Sequence, residues 1–548
     1  MYLKGCSMWD WRRRGASRRC RSYSNLDSHA SMKAVIISLA LACIVLPGCT
    51  RNYVERKIAD ASAAQSLIRW GPSALLKAHM KDGQVCVFSS WEFHDSARAV
   101  SGKGRFYDIN RDSIGSGLFT LQYDSIALFE SNVVSSRAGA ASGLIFLSGV
   151  SVVASVYCLS NPKACFGSCP TFYAWDGHAI SLQAEGFSSS IAPALERTDV
   201  DQMFTAVPRG RGFQVQVKNE ALETQVIRAA NILAVPRPRG GRVFSTDGGS
   251  FFEAELLNLP LVARAATGDV SQALRTFDGR EYFSSADSTD LAAREEVEIE
   301  FQNAPPGRLG LVISCRQTLM TTYLLYQGLA YMGRSAGHWL AELVRRGEKA
   351  REMAGGAGRL LGQIEVLAAQ GGAGWSVEGS TGETGPIAEQ VSVVPLSGEL
   401  SRDGVLHLRL RMTRGFWRID HVGLARLGPR AVPLRLEPTS IVPMGTGEPF
   451  RDTSWELEKR PLVLLPGDAY TLNYRLPEDP GRYELFMESR GYYLEWIRSE
   501  WLAEENPAMV AQMFSDPATF LRTMAPAFKR AEPTMEATFW SSRYERIP

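Results

Sequence analysis

Two periods alternate along this chain. Short runs that switch between apolar and polar at every second position read as half-buried strands. The first are QVCVF (84–88), FYDI (106–109), LFTL (118–121) and SIALF (125–129), separated by Gly and Asp turn residues. Phe213–Val217 and Gln225–Val235 continue the pattern, and VEIEFQ (297–302) with LGLVIS (309–314) reads as a strand pair. EQVSVVPL (389–396), GVLHLRLRM (404–412), FWRIDHVGLARL (416–427), YTLNYRL (470–476) and RYELFME (482–488) complete the set. Between Phe172 and Ile180, Asp176-Gly177 has the composition of a two-residue hairpin turn.

The second period is helical. Val54, Ile58, Ala61, Ala64 and Ile68 recur at three- and four-residue steps and predict a helix to about Trp70. SALLKAHM (73–80) predicts a short second one after Gly71-Pro72, and 318–370 a longer, glycine-interrupted stretch. Near the end, Asn506-Pro507 and Asp516-Pro517 each put a capping residue before a proline suited to the first helical position.

Two runs have neither period. Ala34–Leu46 carries no charge over thirteen residues and follows Lys33. That is short of the roughly 20 apolar residues a membrane span needs but suits an export signal. It ends in Leu46-Pro47-Gly48-Cys49, which resembles the lipobox of bacterial lipoproteins. The resemblance implies lipidation of Cys49 with diacylglycerol and a further acyl chain, cleavage before it, and an outer-membrane address, Thr50 standing where a retention aspartate would be. The arginine-rich segment 1–31 is expected to be a start assigned too early, with Met32 opening a signal peptide over 32–48. Ala138–Leu159, rich in Gly, Ala and Ser, is long enough to span a bilayer. A lipid anchor at Cys49 places the preceding segment outside the cytoplasm, so a buried or membrane-resting hairpin is expected there instead.

Charge changes the picture once the leader is set aside. The full chain has 60 Lys or Arg against 58 Asp or Glu, a net +2. Residues 1–48 contain eight of the bases and two of the acids, so 49–548 has 52 against 56 and a net −4. That leaves no basic footprint for nucleic acid.

The fold class expected is α+β and β-rich. Residues 49–135 would form an N-terminal helix and a β-unit whose pattern resembles a small SH3-like barrel. An apolar helix or hairpin (136–160) and a β-domain (161–245) follow. The strands and helical insertion (318–370) of 246–437 resemble a galactose-binding-like jelly roll, a β-sandwich. Further strands (438–490) and C-terminal helices (491–548) complete the chain. The stretch from Cys169-Pro170 to Tyr173, Trp175, Asp176 and Gly177, with the LERTD and NEALET segments, resembles uncharacterised envelope proteins of Gram-negative bacteria, which implies no activity.

Candidate chemistry is sparse. Cys158 and Cys165, with Cys169 close by, are candidates for a local disulfide in an oxidising compartment; their C-x6-C-x3-C spacing lacks the paired C-x2-C of zinc sites. Gly333-Arg334-Ser335-Ala336-Gly337 matches a nucleophile elbow, but helical spacing precedes it where that motif needs a strand. Glu185, Asp199, Glu220 and Glu223, clustered with Glu196 and Asn219, include hard oxygen donors of the kind calcium takes, against the simpler reading as turn and edge charges, including a local Glu196–Arg197 pairing. Trp375, Phe416 and Trp417 flank the predicted jelly roll, where rings would stack on a sugar or pack in a core. No cofactor is implied. These features favour a lipid-anchored envelope protein of binding or scaffolding type, its partners the membrane and other envelope proteins or glycans. A carbohydrate-binding lipoprotein is the alternative, and an envelope hydrolase the third reading.

Overall fold

The computed structural model describes residues 51–59, 76–80, 84–107, 113–137, 169–397 (without 222, 305, 334–335, 337–338, 340–355, 371–373 and 383), 404–444, 457, 461–495 and 504–543. Cys49, Cys158, Cys165 and the uncharged runs 34–46 and 138–159 lie outside the described residues. The chain divides into two compact units, Met1–Tyr53 with Ser135–Gly143, and Val54–Val134 with Leu144–Pro548. Of the first, only 51–53 and 135–137 are described. Among the described residues the molecule is β-rich, built from largely antiparallel sheets with few helices, Arg242–Ser245 pairing parallel with Gln390–Pro395.

The N-terminal sheet runs Arg51–Ala59, Ile126–Arg137, Leu76–Met80, Val85–His94, Ala99–Tyr107, Ser113–Gln122. Four of these form a meander, and a 3-10 turn at Tyr123–Ser125 returns the chain to pair beside Leu76–Met80. That is the connectivity of an SH3-like barrel. Leu76, Phe88, Val100 and Phe129 bury its core, and Phe93 meets Phe129 edge-on at 5.4 Å.

Over the described residues both helices expected here are corrected to strand, 54–59 of the first lying in Arg51–Ala59 and 76–80 of the second in Leu76–Met80, while 60–75 lie outside the described residues. Val54 and Ile58 stand four apart, a step that also keeps one face of a strand. Leu76, Ala78 and Met80 alternate as a strand does, and all three are buried.

From residue 169 on, one β-sandwich is nested inside another. The outer sandwich has one sheet ordered Ser440–Pro443, Ala469–Arg475, Gly212–Lys218, Thr171–Trp175, Ile180–Glu185. Its second sheet is Leu434–Leu436, Glu223–Pro236, Tyr483–Glu495, Arg197–Gln202. Phe172, Val215 and Leu472 of the first meet Ile232, Leu485 and Met487 of the second in a common core, and the Tyr474 hydroxyl donates to the Ala230 carbonyl across it at 2.9 Å. The hairpin between Thr171–Trp175 and Ile180–Glu185 pairs Trp175 with Ile180, so its loop has four residues rather than two. Asp176 Oδ1 accepts from the His178 and Ala179 amides, each at 2.8 Å, and holds that loop.

The inner sandwich comes wholly from 242–431. One sheet runs Phe251–Asn258, Arg242–Ser245, Gln390–Pro395, Leu309–Gln317, Trp417–Ala431, Tyr282–Phe283. Because Phe251–Asn258 also pairs with Trp417–Ala431, five of these strands close a ring around Phe244, Phe252, Val312 and Val393. The facing sheet runs Gly268–Asp269, Val262–Ala265, Arg294–Gln302, Val405–Thr413, Glu365–Gln370, Gly374–Ser380. Leu311 and Ile313 pack with Val297, Ile299, Leu408 and Leu410 between the sheets. Leu309–Gln317 is buried along its whole length because it has the ring on one face and the sandwich on the other.

The expected pairing of 297–302 with 309–314 is therefore corrected: the two strands lie in opposite sheets. Short connections favour neighbours, but the apolar residues on both faces of 309–314 need a strand covered from both sides.

Helices α1 (Met320–Met332), α2 (Gly356–Leu361), α3 (Pro507–Ser515) and α4 (Pro517–Ser541) cluster together. Asn506 and Asp516 cap α3 and α4, their side chains accepting from the Met509 and Thr519 amides at 3.2 and 3.1 Å. The expected helical stretch 318–370 ends instead in the strand Glu365–Gln370, where Val366 and Ala368 bury against the inner sandwich. Among the described residues no helix is long and apolar enough to cross a membrane.

Candidate functional site: an arginine-lined depression on the outer sandwich

Strand Glu223–Pro236 crosses its neighbour Tyr483–Glu495 with a β-bulge. Ile227 pairs with Gly491 and Ala229 with Arg490, leaving Arg228 as the extra residue. A bulge bends the strand and re-aims a side chain, and here Arg228 and Ala229 both turn to the outer face. Ala229 is small, so opposite Arg490 the sheet surface dips. On the other side of Tyr483–Glu495, Arg490 pairs with Thr198 and Gly491 with Arg197. A β-carbon at Gly491 would overlap the Val226 carbonyl oxygen, so the close strand approach that shapes the bulge requires glycine there.

The result is a cavity of about 360 Å³ lined by Pro193, Glu196, Arg197, Thr198, Arg228 and Arg490. Glu196 stands between two guanidiniums, its Oε2 3.4 Å from Arg228 Nε and its Oε1 3.8 Å from Arg490 Nε. Elsewhere in the molecule such pairs close further, Arg242 on Glu484 at 2.6 Å and Arg435 on Glu488 at 2.7 Å. The Arg228 Nε is buried, and Glu196 Oε2 is its ion-pair partner without the geometry of a hydrogen bond. Chemically, the depression offers hydrogen-bond donors and positive charge.

The other carboxylates singled out in the sequence go elsewhere. Glu185 is buried where the outer sandwich meets the inner one. Its Oε2 accepts from the Ile387 amide and from the Ala388 amide at 2.7 Å, and a β-carbon at Gly385 would overlap its Oε1. Burial pushes its pKa up to about 8, partly offset by those two amides, with Asp199 adding to the rise. Asp201, also buried, is pushed well above the carboxylate range by desolvation, then by Asp199 and Glu185. Desolvation pushes the buried Cys169 thiol well above its ordinary range, and the Glu185, Glu223 and Asp199 charges add to the rise.

Three of the four calcium candidates thus do gather around one place. Glu185 and Glu223 are buried and Asp199 half-buried, and a Glu185 carboxyl that holds its proton near neutrality is a poor ligand for a hard cation. Glu220 is separate: its Oε2 accepts from the Thr171 and Tyr173 hydroxyls, each at 2.7 Å, and Arg543 lies 3.7 Å away. Among the described residues no group of His, Cys, Asp and Glu could hold a metal. Cys169 is a free buried thiol.

A second buried network ties helix α4 to the inner sandwich. Arg316 Nη2 donates to Glu281 at 2.8 Å and to Glu536 at 2.7 Å, while Arg418 reaches Glu281 at 3.2 Å. Nearby, desolvation, then the neighbouring Asp420 and Glu281 charges, raise Glu389 to about 7, with the Ser314 hydroxyl opposing.

The aromatic candidates separate. Phe416 and Trp417 are buried, 3% and 1% exposed, so neither presents a ring face to a sugar, and both are corrected to core. Trp375 is 36% exposed on the strand Gly374–Ser380, with the Arg409 guanidinium 4.1 Å over its ring. Around the elbow-like glycines, α1 precedes Gly333 where a strand would be needed.

Arg228 and Arg490 of the depression were not singled out from the sequence. A signal was present: in QVIRAANILAV the alternation breaks at Arg228, which is the mark of a bulge.

No family model matches the chain. No curated protein matches it either. Among solved structures, a crystal structure of a GH31 alpha-xylosidase from Xanthomonas citri aligns with a TM-score of 0.13 and 7% identity, over 79% of this chain and 38% of that one. The chain spans well under half of that enzyme, and a likeness of this size carries no argument about fold or activity.

Proposed function

We propose that the chain is a lipid-anchored cell-envelope protein that binds or scaffolds rather than performing chemistry, with its mature start at Cys49. The observation that carries this reading is Leu46-Pro47-Gly48-Cys49 at the end of thirteen uncharged residues. Two acyl chains on one cysteine hold a protein stably on a bilayer where one chain holds it only marginally. Support for binding or scaffolding comes from the β-rich body, in which the buried acids brace contacts between sheets and helices. The carbohydrate alternative keeps only Trp375 of its three rings.

Cys49→Ser tests the anchor. The expected outcome is an unprocessed precursor, or a chain released from the membrane fraction, with no incorporation of radiolabelled palmitate. Equal label in wild type and variant would refute the reading.

A further inference from the structure

We propose that the rim around Val432 and Leu434, at one end of the outer sandwich, is a contact surface for an anionic lipid bilayer. The inference stands apart from the lipid anchor, since a chain without acyl groups would show the same preference for negatively charged membranes.

Strand pairing assembles the rim. Leu434–Leu436 is the edge strand of its sheet, and its Leu434 pairs with Ala234 of Glu223–Pro236. Continuing that register sets Val432 beside Pro236. On the other side of the same strand Pro236 pairs with Tyr483, and the Arg237 amide donates to the Arg482 carbonyl at 2.9 Å. Neighbouring strands lie about 4.8 Å apart, so Val432, Pro236 and Arg482 stand in one row across three strands. Arg430 is two positions before Val432, and Arg239 two after Arg237.

Two kinds of side chain meet there. Val432 is 80% and Leu434 48% exposed. Leu434 stands on the strand face of Leu436, which packs against the sandwich core, yet at the sheet edge half of it remains in water. The other kind is cationic. Arg239, Arg430 and Arg482 are exposed and Arg237 half-buried, and none of the four has a carboxylate partner among the described residues. Arg237 donates to the Gly481 carbonyl, and the Arg430 guanidinium lies 5.5 Å over the Phe252 ring; neither contact neutralises the charge. Of the acids beside them in the chain, Glu484 is taken by Arg242 at 2.6 Å and Glu478 by Arg211 at 3.5 Å. That leaves Asp479 and Glu437 against four guanidiniums, a positive rim on a chain whose residues 49–548 are net negative.

The combination selects the occupant. A soluble polyanion would use the guanidiniums and leave Val432 and Leu434 in water. At a bilayer surface the aliphatic side chains bury at the acyl boundary, while arginines keep their heads among the anionic headgroups. The test uses the full chain with Cys49→Ser, which has no acyl chain on that residue whether or not the lipoprotein reading holds. Its flotation with phosphatidylcholine vesicles is compared with and without phosphatidylglycerol, so that any apolar segment contributes equally to both.

The expected result is a saturable excess on anionic vesicles that shrinks as salt rises. Arg430→Gln and Arg482→Gln are each expected to weaken it about fivefold, and the two together about tenfold or more. Val432→Glu, which leaves every arginine in place, is expected to weaken it about tenfold as well. All three residues are exposed, so an unchanged Tm should accompany each loss. Arg98→Gln removes an exposed arginine from the N-terminal sheet and is expected to change the excess by less than about twofold. No excess on anionic vesicles, a full excess in the double variant, or a loss in Arg98→Gln equal to that in Arg482→Gln would overturn the proposal.

Discussion

Glu185 shows how one side chain can make stability depend on pH. Its carboxyl is buried among Asp199, Asp201 and the Cys169 thiol, with the Ile387 and Ala388 amides on one oxygen. Its folded pKa, about 8, lies above the ordinary 4.5, so between those values the folded state holds a proton that the unfolded state has lost. Stability therefore falls as pH rises. The contribution is whole below pH 4.5 and gone once pH passes about 8. Asp201, also raised, adds in the same direction. We expect the Tm of the full chain to drop across that window, and Glu185→Gln, which keeps an acceptor for the two amides but does not titrate, to flatten the drop. A Tm that climbs from pH 5 to pH 8 in wild type would show that the carboxyl is ionised in the fold.

At the level of elements, the chain places its helix starts with local chemistry and its strands with partners. Asp516 carries both halves of a start signal for α4, a capping oxygen on the Thr519 amide at 3.1 Å and Pro517 at the first helical position. Asp516→Ala is expected to cost about 1 kcal/mol, the usual size of a lost cap, read as a lower denaturant midpoint at unchanged slope. Asp516→Asn, which keeps an accepting oxygen, should cost much less; equal losses would mean the cap is not the cause. Glu365–Gln370 follows the opposite logic. Its Leu-Ala-Ala core has good helix propensity, yet it pairs with Val405–Thr413 on one side and Gly374–Ser380 on the other. Two strand partners outweigh a propensity of a few tenths of a kcal/mol per residue.

For the whole molecule, the decisive contact is the one between the last helix and the inner sandwich. Arg316 is buried between Glu281 and Glu536, so α4 is docked by charge as well as by Phe520, Leu521 and Phe528. Removing one partner of a buried ion network leaves an uncompensated charge and costs about 3–5 kcal/mol. Arg316→Ala is expected to lower the unfolding free energy by an amount of that order. Faster hydrogen exchange over 517–541 should accompany it, more than in the inner strands. Exchange that rises uniformly through the chain would mean that the helix is not separately docked.

What was legible in the sequence follows from the range of the forces involved. Strand alternation, turn residues, helix caps and the short uncharged run before Cys49 depend on residues within a few positions of one another. The chain's own order therefore determines most strand positions from Val85 onward, the starts of α3 and α4, and the β-rich class. Where a four-residue step fits both periods, as with Val54 and Ile58, local pattern cannot choose, and the sheet chose strand. Only the tertiary structure decided that 297–302 and 309–314 part to opposite sheets, that 242–431 is nested between Glu223–Pro236 and Leu434–Leu436, and that Trp417 is core while Trp375 is surface. It also decided the arginine depression. Arg228 and Arg490 are 262 positions apart in the chain, and only strand pairing, with a bulge whose register depends on Gly491, brings their charges to one rim.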